Sequence, residues 1–298
     1  MAERIYMDLL DYAKGLYAKA LQLLEPGQCD DFSVISGSLI LMIGLEKLTK
    51  SIIYNMNPLM ILIDKPDFED LRKHAQGNKF ENRNTISFDK ALDRLITLHP
   101  NLNGYKKDIQ SIIEQRNLLM HNFGYLDIGD LEKKIQIKVA DFTEAICKEC
   151  FGSKPENIIG QETWSKLQNN RDAYKQAEVL ELNTRINHLK RLLAQGEVLP
   201  CSPVLIPEDK AQTYIDCPVC GKGALVAFDT DWDVDVDPRE GVILGAYPFA
   251  TPITLKCDCG FTLQDYEEVE IVLGEKCENI CDEIIKQLYE GEEGEKEF

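Results

Sequence analysis

Arg116, Asn117 and His121 close an apolar-periodic stretch that begins near Tyr105. Histidine is the side chain that gives and takes protons near neutrality, and arginine is a permanently charged fork that matches a phosphate. On a helix, Asn117 and His121 fall one turn apart on the same line, and Arg116 reaches toward them on its long side chain. The trio suits metal-free phosphodiester chemistry: His121 transfers protons, Arg116 meets the phosphate charge, and Asn117 holds the imidazole tautomer. A plainer reading stands beside it, a surface arginine and a histidine near a helix C-terminus, where the helix dipole favours cations.

A second set of residues can hold a metal. Cys217-Pro-Val-Cys220-Gly and Cys257-Asp-Cys259-Gly stand on either side of strand-like segments. Glycine after each pair allows the tight turn that aims two thiolates at one tetrahedral ion. Four sulfurs leave no open position, so the site they predict is structural zinc. The second pair is one residue shorter than the usual Cys-x-x-Cys, which tightens its turn. Cys147 and Cys150 share that spacing, but on a continuous helix no turn presents both sulfurs, so they read as ordinary thiols. Cys277 and Cys281 share a helical face and read as packing thiols, with metal ligation as the alternative.

The chemistry must be positioned by helices. Ile5, Leu9, Ala13, Leu16, Ala20 and Leu23 step by three or four and predict a first helix over 3–24, closed by Pro26-Gly27. Asp30 or Asp31 caps a second, almost wholly apolar helix that ends at Asn57-Pro58 and is placed at the centre of the fold. Short helical pieces are expected around Pro66, and residues 77–84 read as a polar loop. Lys79 and Arg83 there either touch RNA or are solvated loop charges. A helix over 87–98 turns Ala91, Leu92, Leu95 and Ile96 inward. The helix with the Arg116 motif follows, with Ile109, Ile112, Ile113 and Met120 as its inward stripe and Gly124 as its stop. Residues 130–150 supply one more helix through Leu131, Ile135, Val139, Phe142 and Ile146.

Gly44-Leu45-Glu46-Lys47-Leu48-Thr49-Lys50 on the second helix, followed by Arg116-Asn117 through His121 on a later one, resembles the HEPN family of four-helix bundles. Many of its members are metal-independent ribonucleases of phage defence and toxin systems. The resemblance covers about the first half of the chain. It implies that Arg116 and His121 are catalytic, that Asn117 and Glu46 support them, and that the protein works as a homodimer. The chemistry points the same way, since one histidine cannot easily serve as base and acid on opposite sides of a phosphate. Glu46 is alternatively the i,i+4 partner of Lys50. Some branches of the family carry tyrosine two residues after the histidine, where this chain has Phe123.

Beyond the bundle, 161–195 is long and charged, with Trp164, Leu167, Tyr174, Leu182, Ile186, Leu189 and Leu193 as a loose seam, and forms one connecting helix or two. Gly196 to Pro207 marks a boundary. Asp229, Asp231, Asp233, Asp235 and Asp237 alternate with other residues, which is strand periodicity with one acidic face. The same carboxylates mimic the spacing of a calcium loop, but Val234 stands where its turn glycine is required. A short helix through Ile280, Ile284, Ile285 and Leu288 and a disordered acidic tail end the chain.

The expected fold is therefore mainly α. A HEPN-like four-helix bundle (1–155) and a helical connector (156–200) precede a small β zinc ribbon with an acidic C-terminal helix and tail (201–298). At 298 residues, 44% hydrophobic and 28% charged, the composition is that of a globular protein. The net charge of −18 is uneven: residues 1–200 carry 26 Lys+Arg against 28 Asp+Glu, and residues 201–298 carry 7 against 23. Phosphate binding needs local positive potential, so RNA is expected at the helical part and a protein partner at the acidic part. No charged-then-apolar leader opens the sequence, and the apolar run from Val34 to Leu45 is short for a bilayer. A cytoplasmic protein that touches no membrane is expected. The reading from another class is a non-catalytic dimerisation or nucleotide-binding module whose acidic ribbon recruits a protein.

Overall fold

The computed structural model describes residues 8–25, 30–62, 72, 85–121, 128–197, 206, 210–236 and 243–293. The chain is mainly helical with one small antiparallel sheet, and it divides into two compact units, 1–175 and 176–298.

In the first unit, α1 (Leu9–Leu23) packs along α2 (Asp31–Met56). Of the two candidate caps it is Asp30 that serves, accepting from the Ser33 amide at 2.8 Å. Asn57 stops α2, and a 3-10 turn (Pro58–Ile61) follows. Then come α3 (Phe88–Leu98), a second 3-10 turn (Pro100–Tyr105), α4 (Lys106–His121), α5 (Ile128–Phe151), α6 (Pro155–Ile159) and α7 (Gln161–Ala194). α2 touches α1, α3, α4 and α5, which makes it the central helix. Its buried Leu41, Met42, Leu45, Leu48 and Ile53 fix it there by removing apolar surface from water. By length and composition alone α2 is also long and apolar enough to cross a membrane, a test that the central helix of a packed bundle passes as well.

Gly37 and Gly44, two turns apart on α2, let α1 approach closely. A Cβ on Gly37 would lie 2.6 Å from Leu24 Cγ, and one on Gly44 would lie 2.9 Å from Tyr17 Cδ2. On α1 and its C-cap the fully buried positions are Ala13, Tyr17, Ala20 and Leu24, so Tyr17 and Leu24 take the inward places expected of Leu16 and Leu23. The Tyr17 hydroxyl is paired with Thr143 Oγ1 of α5 at 2.8 Å, which satisfies a polar group deep in the core. Burial, outweighing that bond, pushes the tyrosine's pKa up.

The stretch 161–195 forms one helix, ending at Ala194. Trp164 and Leu167 of α7 belong to the core of the first unit, and Leu182 and Ile186 belong to that of the second. The first part of α7 is fastened to α5 by polar groups: Gln136 is fully buried, and its side-chain carbonyl accepts from Asn170 at 2.8 Å. Arg171 pairs with Asp141, Glu144 and Asp172, and stacks over Trp164.

The second unit contains β1 (Ala211–Asp216), β2 (Gly223–Val236), β3 (Ile243–Cys257) and β4 (Thr262–Leu263), antiparallel in that order. α8 (Tyr266–Leu273) and α9 (Cys277–Glu293) follow and both pack on β3. Phe228, Leu255, Phe261 and Val269 form the heart of its core. Ala227 faces Thr254 and Phe228 faces Pro252, so Ile253 is the extra residue of a bulge, next to a proline with no amide for the ladder. The pairing of β1 ends at Ala211 opposite Phe228, and among the described residues β2 and β3 continue past it as a two-stranded hairpin. The alternating aspartates up to Asp235 lie on this strand, as their period predicts. The polar loop at 77–84 with Lys79 and Arg83, the Phe123 and Gly124 positions, Asp237 and the last five residues lie outside the described residues.

Candidate functional site

Around Arg116, two helices distant in sequence supply opposite charges. α4 buries Ile109, Ile112 and Ile113, and the same face carries Arg116 toward α2. There Nη1 of Arg116 donates to Glu46 Oε2 at 2.5 Å, while Lys50 Nζ donates to the other oxygen, Oε1, at 2.5 Å. Lys50 also reaches Thr85 Oγ1 at 3.4 Å, from the segment that bridges to Leu62 before α3. The two roles open for Glu46 are thus filled together: it is the i,i+4 partner of Lys50 and the anchor of Arg116.

Burial acts to raise the pKa of Glu46, but the Lys50 hydrogen bond and the charges of Lys50, Arg116 and Lys47 outweigh it and hold the carboxyl below its usual range. One carboxylate facing three cations leaves a positive excess. Lys50 is almost sealed at 3% exposure, whereas the Arg116 side chain is 25% exposed.

Asn117 is exposed, and among the described residues no hydrogen bond joins it to Arg116 or Glu46. His121 closes α4 one turn later; its side chain lies outside what is described. Met120 corrects the predicted stripe. It keeps the angular position of Ile113 yet is 58% exposed, because among the described residues nothing covers the last turn of α4 on that line; Leu119 packs on the core instead. Lys50 was legible in the sequence only as a neighbour of Glu46, and Thr85 carried no signal at all.

In the second unit, Cys217, Cys220, Cys257 and Cys259 come together with their sulfurs all within 4.8 Å of one another. Two turns bring them there. Ahead of β2, the Cys217 amide donates to the Lys222 carbonyl at 2.7 Å and the Gly221 amide to the Cys217 carbonyl at 2.9 Å. Ahead of β4, the Cys257 amide donates to the Phe261 carbonyl at 2.9 Å and the Gly260 amide to the Cys257 carbonyl at 3.0 Å. The second turn repeats the first with one residue fewer. Gly221 at φ 72° and Gly260 at φ 97° adopt the left-handed backbone each turn requires.

The Cys217–Cys259 and Cys220–Cys257 sulfurs are 3.8 and 3.5 Å apart. These separations are far beyond a disulfide bond, and tetrahedral thiolates at about 2.3 Å from an ion stand about 3.8 Å from one another. The donor set therefore fits a metal ion. Burial pushes Cys257 and Cys259 up, and the neighbouring Cys220 acts in the same direction. Burial also acts against Cys220, but the Lys222 backbone and the other thiols bring it down.

Burial pushes Cys147, Cys150 and Cys281 up to about 12, which suits packing groups. Comparison with protein-family models, curated proteins and solved structures gives no match to this chain.

Proposed function

We propose that the chain is a metal-independent endoribonuclease of the HEPN type, acting in phage defence or a toxin system in the cytoplasm. The observation that supports this most is the bond from Glu46 to Arg116. It holds a partly exposed guanidinium, amid excess positive charge, on the helix that carries Asn117 and His121. His121 takes the proton of a 2′-hydroxyl, whose oxygen attacks the adjacent phosphorus and expels the 5′-oxygen. Arg116 meets the charge that builds on the phosphate. The leaving oxygen receives its proton from a second histidine, which a homodimer supplies. A cyclic phosphate and a 5′-hydroxyl result.

The four-cysteine cluster reads as a structural zinc site in a ribbon-like module. Four thiolates leave no open position on the ion, so the metal contributes folding energy and no chemistry.

The decisive experiment incubates the full chain with RNA and identifies the ends produced. Cyclic phosphate and 5′-hydroxyl ends are expected without added magnesium, and Arg116→Ala and His121→Ala should abolish them. A magnesium requirement, or cleavage that survives both substitutions, overturns the reading. A second reading, a non-catalytic dimerisation or nucleotide-binding module whose acidic part recruits a protein, draws support from Leu118 and Met120. They lie exposed at 46% and 58% beside Asn117. It predicts binding with no cleavage.

A further inference from the structure

Glu46 divides its two oxygens between two cations of different standing. Arg116 is open enough to meet a ligand, and Lys50 is not. Were Arg116 the sole partner of Glu46, the pair would be neutral and the guanidinium would offer a phosphate little net charge. Lys50 on the inner oxygen restores a positive excess. It also opposes the tendency of a buried carboxylate to take up a proton, which would break the hold on Arg116.

We propose that Lys50 is a positioning residue for Arg116: through the 2.5 Å bond to Glu46 Oε1 it keeps the carboxylate charged and aimed at the guanidinium. The inference rests on the proposed role of Arg116 as the phosphate-binding group. It goes beyond that role by assigning a task to a residue that touches no substrate. The charged groups that act on Glu46 among the described residues are Lys47 and Lys50 from its own helix and Arg116 from α4. Thr85, from the segment before α3, steadies Lys50 through its hydroxyl. Of these, only Lys50 is both buried and bonded to the oxygen that faces away from Arg116.

The test follows the side-chain Nη–H signal of Arg116, which donates to Glu46, by NMR through an acid titration of the full-length protein, with Arg116→Lys identifying the signal. In the native chain the paired signal should persist to pH values below the ordinary carboxylate range. In Lys50→Met it should be lost at a pH higher by about one unit or more. Lys50→Gln, which keeps a donor but no charge, asks the same question if methionine is not accommodated. A merely structural lysine would change the melting temperature and leave this titration where it was. An unchanged titration in a folded variant overturns the proposal. The acid limb of kcat/KM for RNA cleavage should move with the NMR titration. If the signal moves as expected but no chain cleaves RNA, the positioning role stands and the ribonuclease reading falls.

Discussion

The two candidate sites satisfy their charges in opposite ways. Around Glu46, the carboxylate and Lys50 come from one helix and Arg116 from another far along the chain, and the two cations bond to the two carboxylate oxygens within the protein. Around Cys217, four like groups crowd together with no cation of the chain bonded to them among the described residues. The first arrangement is stable as it stands. The second asks for an ion from outside, because neighbouring thiolates repel and neighbouring thiols waste a tetrahedral cage. A site assembled across helices can thus be completed internally, whereas a site assembled across two tight turns must be completed by a ligand.

Removing the ion should separate the two units most sharply. Structural zinc contributes about 10 kcal/mol or more to small modules, so under the proposed zinc assignment Cys217→Ser or chelation should unfold residues 176–298 and leave the helices of 1–175 intact. Limited proteolysis combined with metal analysis by mass spectrometry checks this. A second unit that stays protected when metal-free would erase the contrast.

Next in size is the loss of Arg116 or His121, each expected to lower the cleavage rate by about a hundredfold or more. Binding of an uncleavable 2′-deoxy oligonucleotide should weaken for Arg116→Ala far more than for His121→Ala. Equal losses would mean that the two residues do not divide the labour as proposed.

Glu46→Gln removes the one anion that satisfies two cations and should cost about 3 kcal/mol, read from urea unfolding of the first unit. The pH dependence has a definite sign. A carboxylate held below its usual range contributes stability in full above its unfolded value and loses it as pH falls through the lower, folded value. The native chain should therefore weaken in acid below the ordinary carboxylate range, and Glu46→Gln should remove that component. Gly37→Ala is the smallest test, at about 1 kcal/mol, since crowding against Leu24 outweighs the gain in helix propensity. It should leave the cysteine cluster untouched.

What could be read from the sequence follows the range of the interaction. The four cysteines were legible because each turn is local: the glycine that follows each pair fixes its geometry, and the strands between need only the right period. The ends of α2 were legible for the same reason, through Asp30 and Asn57. The Glu46–Arg116 bond left no local trace, since nothing in the intervening sequence ties residue 46 to residue 116. Periodicity also fails where a helix outruns its neighbours. Met120 lies on the predicted line of α4 and is nevertheless exposed, and on α1 Tyr17 and Leu24 displace Leu16 and Leu23 because Gly37 and Gly44 set where α2 can approach. The seam of α7 gave its apolar positions but not their allegiance, since Leu167 and Leu182 lie in different cores.

Among the described residues the hairpin of β2 and β3 continues past β1, and in terms of self-association it is an exposure to other copies of the same chain. Strands that run beyond their neighbours offer backbone amides and carbonyls as a template, and Trp232, 48% exposed, adds an apolar surface. The run from Asp229 to Asp235, aspartate at every second position, answers that hazard. A copy aligned in the register that sets these positions opposite one another would bring like charge against like charge, which at neutral pH opposes that pairing. High salt or acid weakens the repulsion first, and these are the conditions under which this protein should begin to aggregate through its sheet.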